Sequence, residues 1–243
     1  MNNILYGGYT EFVVSLKVVC FDLDDTICDL GDGHQKARLI IIDKLSRESD
    51  YPRDAVARVY DIEWAIFKKD YMALVSEGLD EQDIRERHIE SVLDGIALEA
   101  SAGDYARLFG TETLKELHIF PDARRVMDAL GKKYRLTMIT NGASVWQRAK
   151  IEKLSIEDYF EEIIVSGELG YHKPSTKIFE EMTRMTQVDA SEIIYIGNNY
   201  MKDVVGAKES GWKAVWVKRN DEERDESVPD YVINELSELL EIL

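Results

Sequence analysis

Three carboxylates and a hydroxyl end an apolar run near the start of the chain. The run Val18–Phe21 leads directly into Asp22, Asp24, Asp25 and Thr26. Such a run predicts a buried strand that delivers acidic side chains to the edge of a sheet, where open α/β folds bind their ligands. This is the arrangement of an active site. An ordinary turn is the alternative, because aspartate is common in turns.

Three later segments carry further groups that could do chemistry. They are Thr140-Asn141-Gly142 after an apolar run, His172-Lys173-Pro174 before a predicted helix, and Gly197-Asn198 after another apolar run, with Asp203 beyond it. With the first segment, they resemble the four ordered motifs of the haloacid dehalogenase-like hydrolase superfamily. Four motifs in order are far more specific than one. The resemblance covers the chain from Lys17 onward, and Asn198 departs from it, because the fourth motif usually has an aspartate there.

Residues 33–118 have the pattern of a helical bundle. They contain one proline, and apolar residues recur at helical spacing, as in Val56, Tyr60, Trp64 and Phe67. Breaks near residues 49–52, 78–80 and 95–103 predict about four helices, enough for a small self-packed unit. Most of these apolar side chains are expected in the core of the bundle, although one or two could face a cleft and select the substrate.

After residue 121 the pattern alternates between helices and strands. Strands are predicted at 135–140, 162–165, 192–197 and 213–217, with helices at 144–154, 175–186 and 200–210 between them. This alternation predicts a parallel sheet covered on both faces. The expected fold class is therefore α/β, a Rossmann-like doubly wound parallel sheet with an inserted α-helical bundle.

The resemblance implies a division of the chain into a catalytic core and a cap. Residues 17–32 and 119–243 would form the Rossmann-like core, and residues 33–118 would form a helical cap of the first (C1) class. Residues 1–16 would be an N-terminal extension, with an edge strand near residues 11–14 as one alternative. Within this class, residues 140–147, 158–160 and 166–170 resemble the branch of nucleoside monophosphate phosphatases and N-acylneuraminate 9-phosphate phosphatases.

The resemblance also implies a role for each motif residue. Asp22 would attack phosphorus and form an aspartyl phosphate, because a carboxylate is anionic at neutral pH without further activation. Asp24 would protonate the leaving oxygen and later accept a proton from water. Thr140 and Lys173 would complete the catalytic set by stabilising the phosphoryl oxygens. The residues implied for substrate and phosphate binding are Asp25, Thr26, Asn141 and Gly142.

A divalent cation, most plausibly Mg²⁺, is implied as cofactor, because it prefers oxygen ligands and bridges carboxylate to phosphate. Its implied ligands are the Asp22 carboxylate, the Asp24 backbone carbonyl and the Asn198 side chain, with Asp203 acting through a water or directly. Asn198 offers an oxygen but no charge. We therefore expect weaker metal affinity than an aspartate would give.

Three functions compete at this point. The first is a magnesium-dependent phosphatase acting on a small phosphorylated metabolite. The second is a 2-haloacid dehalogenase-type carbon–halogen hydrolase that uses the same nucleophile; Asp24 and Lys173 count against it, because a halide leaves without a proton. The third is a catalytically weakened binding or regulatory protein, for which Asn198 is the only argument. The identity of the substrate does not follow from the motifs.

Composition restricts the partners. The 243 residues carry 30 Lys and Arg against 47 Asp and Glu, a formal net charge of -17, which disfavours nucleic acid. No apolar segment approaches the length of a membrane span, and no signal peptide is recognisable. Cys20 and Cys28 lack metal-ligand spacing and suit free thiols in a reducing cytoplasm. A homodimer stays open, because helical caps can pair without a sequence signature.

Overall fold

The computed structural model of the protein describes residues 15–76, 79, 81–219 and 223–243. The strands in these residues are β1 (Val18–Phe21), β2 (Cys28–Asp29), β3 (His118–Ile119), β4 (Arg135–Thr140), β5 (Glu162–Val165), β6 (Ile193–Gly197), β7 (Lys213–Val217) and β8 (Tyr231–Ile233). Six of them form one sheet in the order β5-β4-β1-β6-β7-β8. Every neighbouring pair in this sheet is parallel.

Helices connect these strands, as a parallel sheet requires. They are α1 (Gly31–Glu48), α2 (Arg53–Ser76), α3 (Glu81–Gly95), α4 (Ala102–Glu116), α5 (Ala123–Leu130), α6 (Ser144–Leu154), α7 (Ser166–Leu169), α8 (Thr176–Thr186), α9 (Gly206–Glu209) and α10 (Leu239–Ile242). A π-helix, Tyr200–Val205, precedes α9. Among the described residues, no helix combines the length and hydropathy needed to cross a membrane.

The sheet is covered on both faces, as its central strand shows. Val19 and Phe21 of β1 pack into one cluster with α5, α6 and α10. Val18 and Cys20 pack into a second cluster with α8 and α9 on the opposite face. All four side chains are fully buried, which explains why β1 is a continuous apolar run rather than an alternating one. The predicted α/β fold with a doubly wound parallel sheet is confirmed.

Helices α1–α4 have a core of their own, separate from the sheet. Its buried members include Ile41 of α1, Tyr60 of α2, Ile89 of α3 and Phe109 of α4. At the base of the bundle, β2 and β3 pair antiparallel and tie the two connections to the sheet side by side. The four helices follow the predicted breaks. The division of the chain at residues 33 and 118 stays a prediction.

Most predicted strands and helices of the core match the structure within one residue. The strand predicted from residue 192 begins at Ile193, and the helix predicted from residue 175 begins at Thr176. The helix predicted at 200–210 is instead a π-helix followed by the short α9. Strand β8 is an addition to the prediction. The edge strand considered near residues 11–14 lies outside the described residues.

Candidate active site

Three neighbouring strands end at one edge of the sheet. Strand β1 lies between β4 and β6 and is parallel to both. Thr140 is the last residue of β4, and Asp22 and Asn198 are the first residues after β1 and β6. Because the carboxyl ends of parallel strands meet at the same edge, these three residues come together there. The topology thus assembles the first, second and fourth motifs into one site.

Lys173 lies at the centre of a buried cluster of charges. Its Nζ is 2.7 Å from Asp22 Oδ1 and 2.7 Å from Asp203 Oδ1, and it donates a hydrogen bond of 2.7 Å to the Tyr195 hydroxyl. Lys173, Asp22 and Asp203 are 2%, 6% and 1% exposed. Water and salt therefore screen these ion pairs weakly. The third motif is joined in this way to the first and the fourth.

Burial and ion pairing shift the pKa values in this cluster. Burial raises the pKa of Asp22 to about 7, against the opposing charge of Lys173. Burial alone would lower the pKa of Lys173, but the charges of Asp203 and Asp22 outweigh it and raise that pKa. Lys173 is therefore a cation at neutral pH. Asp22 depends on this cation to remain ionised, the form that a nucleophile needs.

Asn141 positions the loop that carries Lys173. The backbone N–H of Lys173 donates to Asn141 Oδ1 at 2.9 Å, and Asn141 Nδ2 donates to the Lys173 carbonyl at 3.0 Å. Gly142 has a φ of 146°, which favours glycine, and its N–H donates to Ser166 Oγ at 3.0 Å. The Asn141 side chain and the Gly142 N–H thus hold the loops together. Phosphate binding through the Asn141 backbone stays a prediction.

The carboxylate of Asp24 is held by two side chains of α6. Lys150 Nζ lies 3.0 Å and 2.9 Å from its two oxygens, and Gln147 Nε2 donates to Oδ2 at 3.0 Å. Gln147 also donates to the Thr140 hydroxyl, so that this hydroxyl keeps its own hydrogen for another acceptor. Asp24 therefore has a fixed carboxylate, and it remains 23% exposed.

Thr26 links Asp22 to Asn198. Its hydroxyl lies 3.2 Å from Asp22 Oδ2 and 3.3 Å from Asn198 Oδ1, and it accepts the Asn198 N–H at 3.1 Å. A carboxylate oxygen and an amide oxygen thus converge on one buried hydroxyl. Oxygen donors of this kind suit Mg²⁺. Within the described residues, no three His, Cys, Asp or Glu side chains form a metal cluster, so the candidate donor set is mixed.

Asp25, the third acid of the first motif, faces a different part of the fold. Its φ is 56°, and its Oδ1 accepts the N–H groups of Leu30 and Gly31 at 3.1 Å and 3.3 Å. These two groups lie at the start of α1, where helix N–H groups lack intrahelical partners. The Asp25 side chain therefore anchors the beginning of the helical bundle.

A cavity of about 280 Å³ lies between the sheet edge and the helical bundle. Its lining includes Asp24, Asn141, Gln147 and Lys150 from the sheet side, and aromatic side chains from the bundle. Typical small-molecule pockets have volumes of about 300–1,000 Å³, and the volume of this cavity is just below that range. The site can therefore enclose a small organic substrate next to Asp24.

Three residues of the site, Gln147, Lys150 and Tyr195, lie outside the four motifs. Gln147 and Lys150 are three apart on α6, a spacing that puts both on one face of a helix, and this was the available signal. Tyr195 lies inside the apolar run of β6 and gave no signal. Its hydroxyl accepts from Lys173 and donates to the Ile139 carbonyl at 2.7 Å.

Comparisons with known proteins identify the family of the chain. The family model of the haloacid dehalogenase-like hydrolases matches residues 16–211. A glyceraldehyde 3-phosphate phosphatase of Pyrococcus abyssi is 32% identical over 209 residues, covering 84% of this chain and 82% of the relative. The human N-acylneuraminate-9-phosphatase is 26% identical over an alignment that covers 94% of this chain and 94% of the relative. The resemblance to phosphatases of this family is thereby confirmed.

Solved structures give the same fold. A HAD phosphatase from Thermococcus onnurineus is 26% identical, with a TM-score of 0.65 and coverage of 93% of this chain and 97% of that chain. A 2-haloacid dehalogenase from Pseudomonas syringae pv. Tomato DC3000 has a TM-score of 0.70 at 24% identity, again covering 93% and 97%, and this likeness concerns the fold alone. With its four motifs at one sheet edge and the family match over residues 16–211, the chain belongs to the haloacid dehalogenase-like hydrolases.

Proposed function

We propose that the protein is a magnesium-dependent phosphomonoester hydrolase that acts on a small phosphorylated metabolite. The observation that carries the proposal is the pair formed by Asp22 and Asp24. Asp22 is bound to a buried cation, and Asp24 lines the adjoining cavity with its carboxylate held by Lys150 and Gln147. One acid is thus suited to attack phosphorus and the other to handle the proton of the leaving group. The names of the phosphatase relatives support the same reaction.

In the first step, Asp22 attacks phosphorus and an aspartyl phosphate forms while the bond to the leaving oxygen breaks. For this step Asp24 must carry a proton, which it gives to that oxygen so that an alcohol departs. The carboxylate form paired with Lys150 is the one that acts as a base in the second step. Lys173 keeps Asp22 ionised and offers positive charge to the phosphoryl oxygens, and the Thr140 hydroxyl donates a hydrogen bond to them. In the second step, Asp24 takes a proton from water, which attacks phosphorus and releases Asp22 and phosphate.

The residues present fit a magnesium ion. Asp22 Oδ2 and Asn198 Oδ1 would hold it together with the backbone carbonyl of Asp24, whose side chain is engaged by α6. Bound there, the cation would neutralise charge on the phosphoryl group. The Asp203 carboxylate already pairs with Lys173, and it accepts a hydrogen bond of 2.8 Å from the Asn199 N–H. Its part in metal binding would therefore be indirect.

The first experiment measures phosphate release from a panel of phosphomonoesters, with Mg²⁺ and with EDTA, and halide release from 2-chloropropionate in parallel. Metal-dependent phosphate release without halide release is the expected result. Halide release would support the dehalogenase alternative, in which Asp24 has no proton to deliver. Absence of both activities would support a binding role.

The role of Asp24 predicts a dependence on the leaving group. Asp24→Asn should lower kcat for an alkyl phosphate by about 10²- to 10⁴-fold, because the alkoxide then leaves without a proton. The loss should be much smaller for p-nitrophenyl phosphate in the first step, since nitrophenolate leaves unprotonated. Burst kinetics of nitrophenol release isolate that step. Equal losses of the first-step rate for both substrates would contradict the role of Asp24 as general acid.

The neutral side chain of Asn198 predicts that half-maximal activity needs a higher Mg²⁺ concentration than an aspartate at this position would need. Asn198→Asp should lower the Mg²⁺ concentration for half-maximal activity by about tenfold, because a carboxylate adds a charge to the ligand set. The matched control is Asn199→Asp, since Asn199 is the next residue and its side chain instead accepts the Lys202 N–H at 2.9 Å. A magnesium titration that is unchanged in Asn198→Asp, or shifted equally in both variants, would contradict the expectation.

A further inference from the structure

The charge of the cavity is opposite to that of the chain. The chain carries a formal net charge of -17. Among the residues that the structure describes, the charged side chains that line the cavity are Lys68, Lys150, Lys202 and Asp24. Asp24 is paired with Lys150. His34 adds no charge at neutral pH, because burial and the neighbouring cations lower its pKa to about 3.

Lys68 and Lys202 therefore supply positive charge that the cavity does not neutralise. In the part of the chain that the structure describes, neither has a carboxylate partner. Lys68 belongs to α2 of the bundle, and Lys202 belongs to the π-helix that follows β6. The two cations thus come from opposite sides of the cavity. A ligand that reaches both would bridge the bundle and the sheet.

Two buried polar atoms belong to residues that line the cavity. Thr113 Oγ1 and Trp146 Nε1 are buried, and neither has a hydrogen-bond partner among the described residues. Thr113 is only 2% exposed. Buried polar groups normally find partners, because an unmet hydrogen bond is costly. The indole N–H of Trp146 can only donate, so its missing partner is an acceptor, whereas the Thr113 hydroxyl can donate or accept.

The remaining wall is largely aromatic and tightly fitted. It includes Trp64, Tyr71 and Phe109 from the bundle. Trp146 packs so closely on α4 that a Cβ at Gly110 would lie 1.7 Å from its ring. A wall of low polarity strengthens the attraction between a cation and an anion. The cavity therefore combines apolar sides with donors and cations.

We infer that the substrate carries a second anionic oxygen group, a carboxylate or a further phosphate, on the part that leaves from phosphorus. Lys68 and Lys202 bind this group from opposite sides of the cavity. The inference rests on the proposed function, because it assumes that the phosphoryl group is attacked by Asp22. It narrows the substrates to phosphomonoesters of organic acids or to bisphosphates.

Matched substrate pairs test the inference. 3-Phosphoglycerate carries a carboxylate where glycerol 3-phosphate has a hydroxymethyl group. 6-Phosphogluconate and sorbitol 6-phosphate differ in the same way, with a longer chain between the carboxylate and the phosphate. Fructose 1,6-bisphosphate, compared with fructose 1-phosphate and fructose 6-phosphate, tests a second phosphate. We expect kcat/KM to favour the anionic member of at least one set by about tenfold, and the preference to fall as salt is added. The set that shows the preference identifies the anion.

Variants assign the preference to the cavity. Lys68→Gln should lower the ratio of kcat/KM between the anionic and the neutral member by about fivefold, mainly through KM. Lys69→Gln is the matched control, since Lys69 is the next residue on α2 and is exposed like Lys68, but is not among the residues that line the cavity; it should leave the ratio unchanged.

The outcomes separate this inference from the proposed function. If p-nitrophenyl phosphate is hydrolysed and Asp22→Asn abolishes this, but no set shows a preference for the anionic member, the inference is wrong and the phosphatase stands. Equal effects of Lys68→Gln and Lys69→Gln would also overturn it. If no probe is hydrolysed in an Asp22-dependent way, the proposed function and the inference both fail.

Discussion

Asp22→Asn lowers the turnover of every phosphomonoester by about 10⁴-fold or more, because the amide cannot form the acyl phosphate. The variant should stay folded. Burial already raises the pKa of Asp22 to about 7, so a neutral amide removes a charge that the fold holds at a cost. Lys173 keeps its ion pair with Asp203. Steady-state release of p-nitrophenol with saturating Mg²⁺ measures the effect.

The control for this variant is Asp32→Asn. Asp32 lies in the first turn of α1, where its carboxylate pairs with Lys36 at the surface, and the same change there should leave turnover near the wild-type value. Circular dichroism and chemical denaturation of both variants check the fold. If Asp22→Asn retained turnover within tenfold of wild type, the nucleophile would be another group and the proposed mechanism would fall.

The sheet edge was predictable because the central strands are buried on both faces. Such strands are continuous apolar runs, and β1, β4 and β6 were recognised in this way within one residue of their limits. The rule that parallel strands end together then brings Asp22, Thr140 and Asn198 to one place. Strand β8 lacks this signal: it has three residues at the edge of the sheet, and its Tyr231 is exposed.

The contacts of Asp24 and Asp25 were not predictable from the sequence. The first motif presents three acids in four residues, and nothing in its composition separates their roles. In the structure, Asp24 pairs with Lys150, which is 126 residues away, whereas Asp25 adopts a positive φ and binds the start of α1. Such partners depend on how α6 and α1 pack around the loop. Helical spacing shows that Gln147 and Lys150 share a face, but it does not show what that face meets.

Lys173→Met should destabilise the protein by about 3–5 kcal/mol, because it leaves Asp22 and Asp203 buried without their cation. It should also reduce turnover severely, since Asp22 then lacks the charge that keeps it ionised. Urea unfolding in EDTA measures the first effect without a metal that could compensate. Lys177→Met, an exposed position in α8, is the matched control and should change the free energy of unfolding by less than about 0.5 kcal/mol.

A second variant separates the electrostatic cause from lost packing. The double variant Lys173→Met with Asp203→Asn has one buried acid fewer than Lys173→Met alone. The new amide can still accept a hydrogen bond from the Asn199 N–H through its oxygen. If uncompensated charge is the cause, the double variant should be more stable than Lys173→Met alone, although it remains inactive. Equal stability of the two would show that the loss comes from the missing side-chain volume. The ion pairs of Lys173 would then serve the chemistry of Asp22 rather than the fold.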